Sequence, residues 1–186
     1  MRVISGEARG RVLKAVPGQN TRPTTDKVKE SLFSVIGPYF SDEIVLDLFA
    51  GTGSLGIEAL SRGAKKAIFV DAERKSIEVV KHNIMVTGFE QQAEIYRNDA
   101  FRALNALHKR EVQFQLVFLD PPYRMKNMDE LLEQMQQKQL LANDSTVVIE
   151  HDAKHQYPQQ IGELHRIREL TYGDIAISIY KHTEII

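Results

Sequence analysis

Asp120, Pro121, Pro122 and Tyr123 follow directly on an apolar run, so the stretch reads FLDPPY. Proline cannot donate to a strand ladder, and a strand that meets two prolines must leave its sheet there. What stands at such a turn is a rigid pair of hydrogen-bond acceptors, the Asp120 carboxylate and the Pro121 carbonyl, beside an aromatic ring. That pair suits an exocyclic amino group on a nucleobase. The lone pair of such an amine is delocalised into the ring, so the nitrogen must become pyramidal before it can attack a methyl carbon. Two accepted N–H bonds would aim the lone pair and stabilise the positive charge that develops. Pro122 stiffens the turn, and Tyr123 offers a face on which an extruded or unpaired base can stack.

A second chemical signal precedes it. EIVLDLFAGTGSLGIEAL places Gly51, Gly53 and Gly56 in a G-x-G-x-x-G spacing directly after an apolar run and at the head of a helical one, with Asp71 twenty residues past Gly51. Such glycines allow a tight turn and a close approach of ligand to backbone, while an acid at the end of the next strand can hold ribose hydroxyls. The spacing also fits a nicotinamide dinucleotide. Asp47, four residues before the first glycine, argues against that ligand, because a pyrophosphate nearby makes a carboxylate unwelcome. A cationic ligand such as S-adenosylmethionine, with its ammonium and sulfonium, would welcome it. Asp99, in the pair Asn98–Asp99, either accepts from an adenine amino group or caps a helix beginning at Ala100.

The elements that must position these residues follow from hydrophobic periodicity. EIVLDLFA, KKAIFVDA, AEIYRND, FQLVFLD and STVVIEH read as strands, with SLGIEALSRG, RKSIEVVKHNIMVTG and a helix around MDELLEQMQQKQL among them. This alternation predicts an α/β fold with a doubly wound, mostly parallel sheet. ELHRIREL and DIAISIY, joined by TYG, predict a closing antiparallel hairpin and bring the strand count to seven. Ahead of the sheet, RVIS and RVLKAV predict a short β-hairpin. A helix over TTDKVKESLFSVI follows, capped by Thr24 or Thr25, with Val28, Leu32, Val35 and Ile36 on its apolar side. The whole chain, 1–186, reads as one domain with 1–38 as an N-terminal extension.

Composition narrows the chemistry. There is no cysteine among the 186 residues, which removes disulfides, thiolate metal sites and cysteine nucleophiles. The opening residues lack the apolar core of a signal peptide, and no run approaches membrane-spanning length, so a cytoplasmic protein is expected. No metal is expected either: His151 and His155 are four apart, but in a polar stretch that reads as solvated. Net charge is −1, yet residues 1–30 carry seven Lys or Arg (Arg2, Arg9, Arg11, Lys14, Arg22, Lys27 and Lys29) against three acids. A basic end on an acidic body suggests a local footprint for a polyanion.

Taken in order, DLFAGTGSLGIEAL, VDAERK, ND and FLDPPY resemble the Rossmann-like S-adenosylmethionine-dependent amino-methyltransferases. With RPTTDKVKESLFSVI before them and YGDIAISIY after, the chain resembles over residues 1–182 the bacterial RsmD family, which methylates N2 of a guanine in 16S ribosomal RNA of the small subunit. The resemblance implies that Asp47 and the backbone of Phe49, Ala50, Gly51, Thr52 and Gly53 meet the methionine part of the cofactor. It puts Asp71 at the ribose and Asp99 at the adenine, counts Ala72 and Ala100 among the cofactor-binding residues, and puts Asp120 to Tyr123 at the guanine amino group. Arg9, Arg11, Arg22 and Lys27 would meet RNA; family members often carry arginine where Lys27 stands. An adenine-N6 methyltransferase, a nicotinamide oxidoreductase and a non-catalytic ribosome-assembly factor are the alternatives, and a monomer is assumed. If the basic end binds phosphates, affinity for RNA should fall steeply between 50 and 200 mM salt, by roughly tenfold or more for a few contacts. A flat salt response in a filter-binding titration would rule that footprint out.

Overall fold

The computed structural model describes residues 1–18, 25–122 and 124–183. Helix α1 (Asp26–Ile36) comes first, and strands and helices then alternate: β1 (Ile44–Leu48), α2 (Ser54–Ser61), β2 (Lys66–Asp71), α3 (Arg74–Thr87), β3 (Ala93–Arg97), α4 (Ala100–Lys109), β4 (Phe114–Leu119), α5 (Met128–Gln137) and β5 (Leu141–Asp152). The short β6 (Gln160–Ile161) and a hairpin of β7 (Leu164–Tyr172) and β8 (Ile175–His182) close the chain. They form one sheet in the order β3-β2-β1-β4-β5-β8-β7-β6. The first five strands are parallel, and β8, β7 and β6 run antiparallel to their neighbours. Chain order therefore reverses between β1 and β4, which is where open α/β sheets hold their ligands.

The strands are apolar on both faces because helices cover both. Leu46, Leu48, Val117 and Leu119 face the core built with α4 and α5, while Val45, Leu116 and Phe118 face the one built with α1 and α2. Thr25 caps α1 by accepting from the Val28 amide at 3.2 Å; Thr24 lies outside the described residues.

Three expectations change. The sheet has eight strands rather than seven: β6 is a two-residue strand that pairs Gln160 with His165 and Ile161 with Leu164, too short to leave an alternating pattern in the sequence. The N-terminal hairpin is shorter than read: Arg2 bridges Val12, with the Val3 amide donating to the Arg11 carbonyl and the Leu13 amide to the Met1 carbonyl, each at 2.9 Å. The Ile4 and Ser5 amides donate to the Glu58 carboxylate at 2.9 and 3.1 Å, and the Lys14 amide to Asn83 Oδ1 at 2.8 Å, so side chains of α2 and α3 hold the hairpin where its own pairing ends. His151, read as solvated, is half-buried, with one ring nitrogen 2.8 Å from Ser178 Oγ and its ring 4.6 Å from that of Tyr157.

Lys29 also leaves the basic footprint. Its side chain is wholly buried, with Nζ 2.7 Å from the Arg2 carbonyl, 3.1 Å from Ser54 Oγ and 3.4 Å from Glu58, which Arg62 meets from the other side at 2.8 Å. Burial draws its pKa below the ordinary 10.5, against the pull of Glu58. Lys29→Met would strand the buried Glu58 charge with one partner fewer and should cost about 3–5 kcal/mol in urea unfolding. Arg74→Met, at an exposed pair with Glu78, should cost below about 1 kcal/mol in the same assay.

Candidate active site

The strand–loop–helix unit is built around an unfavourable turn. After β1 the chain passes through Phe49 at φ 67°, then Gly51 at 59° and Gly53 at 79°, before α2 begins. A phenylalanine in the left-handed region costs on the order of 1–3 kcal/mol and persists only where its surroundings hold it. Three bonds do so here: the Ala50 amide donates to the Val70 carbonyl, the Gly51 amide to Asp71 Oδ2 and the Asn83 side chain to the Thr52 carbonyl, each at 2.9 Å. Gly56 is needed for contact, since a Cβ there would sit 2.4 Å from Phe69 Cε1 and 3.1 Å from Asp47 Oδ2. That closeness lets the Gly56 amide donate to Asp47 at 3.1 Å.

Beside this loop lies a cleft of about 300 Å³. Phe49, Asp71, Ala72, Asp99, Ala100 and Pro122 line it together with Asn98, Phe101 and Met125. Carboxylates thus stand at one side of an apolar slot, an arrangement suited to a nucleoside. Asp99 caps α4, accepting from the Phe101 and Arg102 amides at 3.1 and 3.2 Å, while its residue remains exposed towards the cleft. Asp47, Ala50, Gly51, Thr52 and Gly53 flank the cleft rather than line it.

Asp47 and Asp120 meet across the switch point. β1 and β4 are in register, Asp47 beside Phe118 and Leu48 beside Leu119, so Asp120 and Pro121 emerge next to the glycine loop. Asp47 is only 3% exposed and burial pushes its pKa from the ordinary 3.8 to about 8, with the Gly56 bond opposing and Asp71 adding repulsion. Asp120 as a residue is exposed at the rim, yet enough protein surrounds its carboxyl for lost hydration to lead the causes that raise its pKa. Glu150, Asp47 and Asp71 raise it further by repulsion, and Glu150 also hydrogen-bonds to it. Solvent access screens part of this. The result is an edge where Asp47, Asp71, Asp120 and Glu150 repel one another, which suits a positively charged ligand and opposes a pyrophosphate.

Tyr123 and Arg22 lie outside the described residues. Of the other residues read as RNA-facing, Lys27 is exposed at the start of α1, near the glycine loop through Lys29 and Ser54, whereas Arg9 and Arg11 are exposed beyond the turn that packs on Ser61, at the far end of α2. Sequence reasoning missed Asn83 and Glu150. Asn83 interrupts the apolar stripe of Ile77, Val80 and Ile84, a visible signal for a buried polar contact. Glu150 follows the apolar VVI run as Asp120 follows VFL, and only the strand order makes them neighbours.

Strand order, switch-point crevice and cation-seeking edge define a Rossmann-like methyltransferase. A family described as "Conserved hypothetical protein 95" matches residues 1–181, and the chain belongs to it, the RsmD family. It is 52% identical over 97% of its length, and 98% of the relative's, to "Putative rRNA methyltransferase YlbH" of Bacillus subtilis. It is 30% identical over 97% of its length, and 89% of the relative's, to "Ribosomal RNA small subunit methyltransferase D" of Escherichia coli. The solved structure "Putative methyltransferase yhhF from Escherichia coli" covers 100% of this chain and 99% of its own at 31% identity and a TM-score of 0.83. More distantly, an RNA methyltransferase from Salinibacter ruber solved with S-adenosyl-L-homocysteine shares the fold, with a TM-score of 0.65 at 17% identity over 89% of this chain and 96% of its own.

The Asp47 proton has a consequence for stability. The folded protein keeps it up to about pH 8, whereas the unfolded chain releases it near 3.8, so this group's contribution to stability declines as pH rises between those values and is level above. Asp47→Asn cannot ionise and should melt above the wild type at pH 8.5, by several degrees, with the gap closing at pH 5. Equal gaps at both pH values would contradict the buried, proton-holding carboxyl.

Proposed function

We propose that the protein transfers a methyl group from S-adenosylmethionine to the exocyclic N2 amino group of a guanine in small-subunit ribosomal RNA. The observation that carries this reading is the juxtaposition of the Asp120–Pro121 acceptors with the buried Asp47 carboxyl and the glycine loop across β1 and β4. The names borne by its relatives support the RNA substrate, and a fold neighbour's S-adenosyl-L-homocysteine supports the cofactor class.

The residues fit that cofactor. Asp47 would face its cationic methionine end and lose its proton in exchange. Asp71 would accept from ribose hydroxyls, with Ala72 against the sugar. Asp99 and Ala100 would border the adenine, and Phe101 and Met125 would give its ring apolar cover. When bound, the cofactor supplies an electrophilic methyl carbon on a sulfonium. Asp120 and the Pro121 carbonyl accept the two N–H bonds of the amine and turn its lone pair towards that carbon, with Pro122 keeping both acceptors fixed. Tyr123 stacks the extruded base. Lys27, Arg22, Arg9 and Arg11 meet phosphates. Such work belongs in the cytoplasm, beside the small subunit or a particle on the way to it.

Asp120→Ala should lower single-turnover methylation by 10²-fold or more while calorimetry shows cofactor affinity changed less than about threefold. The deciding assay incubates small subunits lacking the modification with protein and isotope-labelled S-adenosylmethionine, then identifies the labelled nucleoside by mass spectrometry. Label in N2-methylguanosine is the expected result. Label in N6-methyladenosine would move the substrate, and bound cofactor without any label would leave a binding protein.

A further inference from the structure

Glu150 has no place in that account, yet it touches its central residue. β4 and β5 are parallel and in register up to Leu119 beside Ile149, so Asp120, the first residue after β4, stands next to Glu150, which stays in β5, and repulsion and hydrogen bonding between the two carboxyl groups are among the causes that raise the Asp120 pKa. An ionised carboxylate only accepts, so two carboxyl groups can bond in this way only if one of them holds a proton. The groups that lead the repulsion on Asp120 are Glu150 from β5, Asp47 from β1 and Asp71 from β2, all acids, while Arg97, in register with Asp71 at the end of β3, is exposed and donates to the Ala72 carbonyl at 3.2 Å. On its other side Glu150 pairs with Ile177 of β8, which cannot ionise, and Arg124 and Lys126 beyond the turn point into solvent as exposed residues.

We propose that Glu150 is a positioning residue for methyl transfer: it shares one proton with Asp120, holds the Asp120 carboxylate towards the amine, and gives that pair the capacity to receive the proton the amine releases. The inference rests on the reading of the site given above. With the shared proton on Glu150, its O–H donates to one Asp120 oxygen and leaves the other to accept from the amine. As the nitrogen lone pair forms the N–C bond, the C–S bond breaks with its electrons going to sulfur, and the nitrogen becomes positive. The N–H already bonded to Asp120 then breaks, its electrons returning to nitrogen and its proton passing to the Asp120 carboxylate. The pair is briefly neutral, and water at the exposed rim takes one proton away. A lone Asp120 between Asp47 and Asp71 would lack both the donor that orients it and the partner that spreads the incoming proton.

Glu150→Gln tests this, because the amide keeps an N–H for Asp120 but carries neither charge nor exchangeable acid. In the cofactor-free protein, ¹³C-detected titration of the side-chain carboxyls should show Asp120 following two coupled steps in the wild type, the upper of which is lost in the variant. In single-turnover methylation the alkaline limb, where the wild-type pair gives up its shared proton, should disappear, so that the variant's rate relative to the wild type rises with pH. Glu150→Asp, which restores a carboxyl, should return the limb towards the wild-type position, and Glu150→Ala should lower the plateau rate as well. An Asp120 titration that is the same in wild type and Glu150→Gln would overturn the proposal, as would a rate reduced evenly at every pH. If the wild type labels no RNA, the reading of the site fails instead, and the carboxyl titration still decides whether the two groups share a proton.

Discussion

A lysine in the core holds the amino-terminal extension to the catalytic half of the fold. Lys29, Glu58 and Arg62 are buried together, and the Glu58 carboxylate also takes the Ile4 and Ser5 amides. An unpaired charge in such a place would be intolerable, so the first helix, the segment before it and α2 must come together as a set. Lys29 further donates to Ser54, the first residue of the helix that the glycine loop feeds. Asn83 makes the second tie, bonding Lys14 on one side and Thr52 on the other. The segment that carries Arg9, Arg11 and Lys14 is thereby fixed to the loop that would hold the cofactor, through side chains and not through strand pairing.

The second constraint is a surplus of negative charge. Asp47, Asp71, Asp120 and Glu150 gather towards the C-terminal ends of β1, β2, β4 and β5, and among the described residues nearby bases are engaged: Lys29 and Arg62 with Glu58, and Arg97, in register with Asp71, with the Ala72 carbonyl. Left to itself the edge relieves this by holding protons. A cationic ligand relieves it more completely, which ties affinity for that ligand to the cost of leaving the edge bare.

Much of this was legible because it is local. The turn from β1 into α2, the acid at the end of β2 and the proline stop after β4 are each written within a few consecutive residues, and the parallel alternation follows from their periodicity. What escaped was set by distant partners. Lys29 occupies the same helical face as Leu32, Phe33 and Ile36, so its place in the apolar stripe was available to be read, but its charge drew it into the basic tally. The predicted hairpin is present in short form, but the groups that tie it down, Glu58 and Asn83, lie 53 to 69 residues away along the chain. Glu150 could be linked to Asp120 only through strand order. Asp99 proved to be the helix cap that its position before Ala100 suggested, and its cleft-facing exposure is compatible with the second role as well.

The far margin of the sheet bears on how such a protein survives at working concentration. β7 forms the edge for most of its length, since β6 covers only its first two residues. A nine-residue strand with open amides is a template for pairing with another copy. Here the register shifts between Arg166 and Arg168, which turns Ile167 outward, and Arg166, Arg168 and Glu169 put charge along the same stretch. A kinked, charged border accepts a second strand poorly. The chain can therefore carry a long hairpin at its margin, next to a crevice that must stay open to a large polymer, without that margin becoming a seed for stacking one molecule on the next.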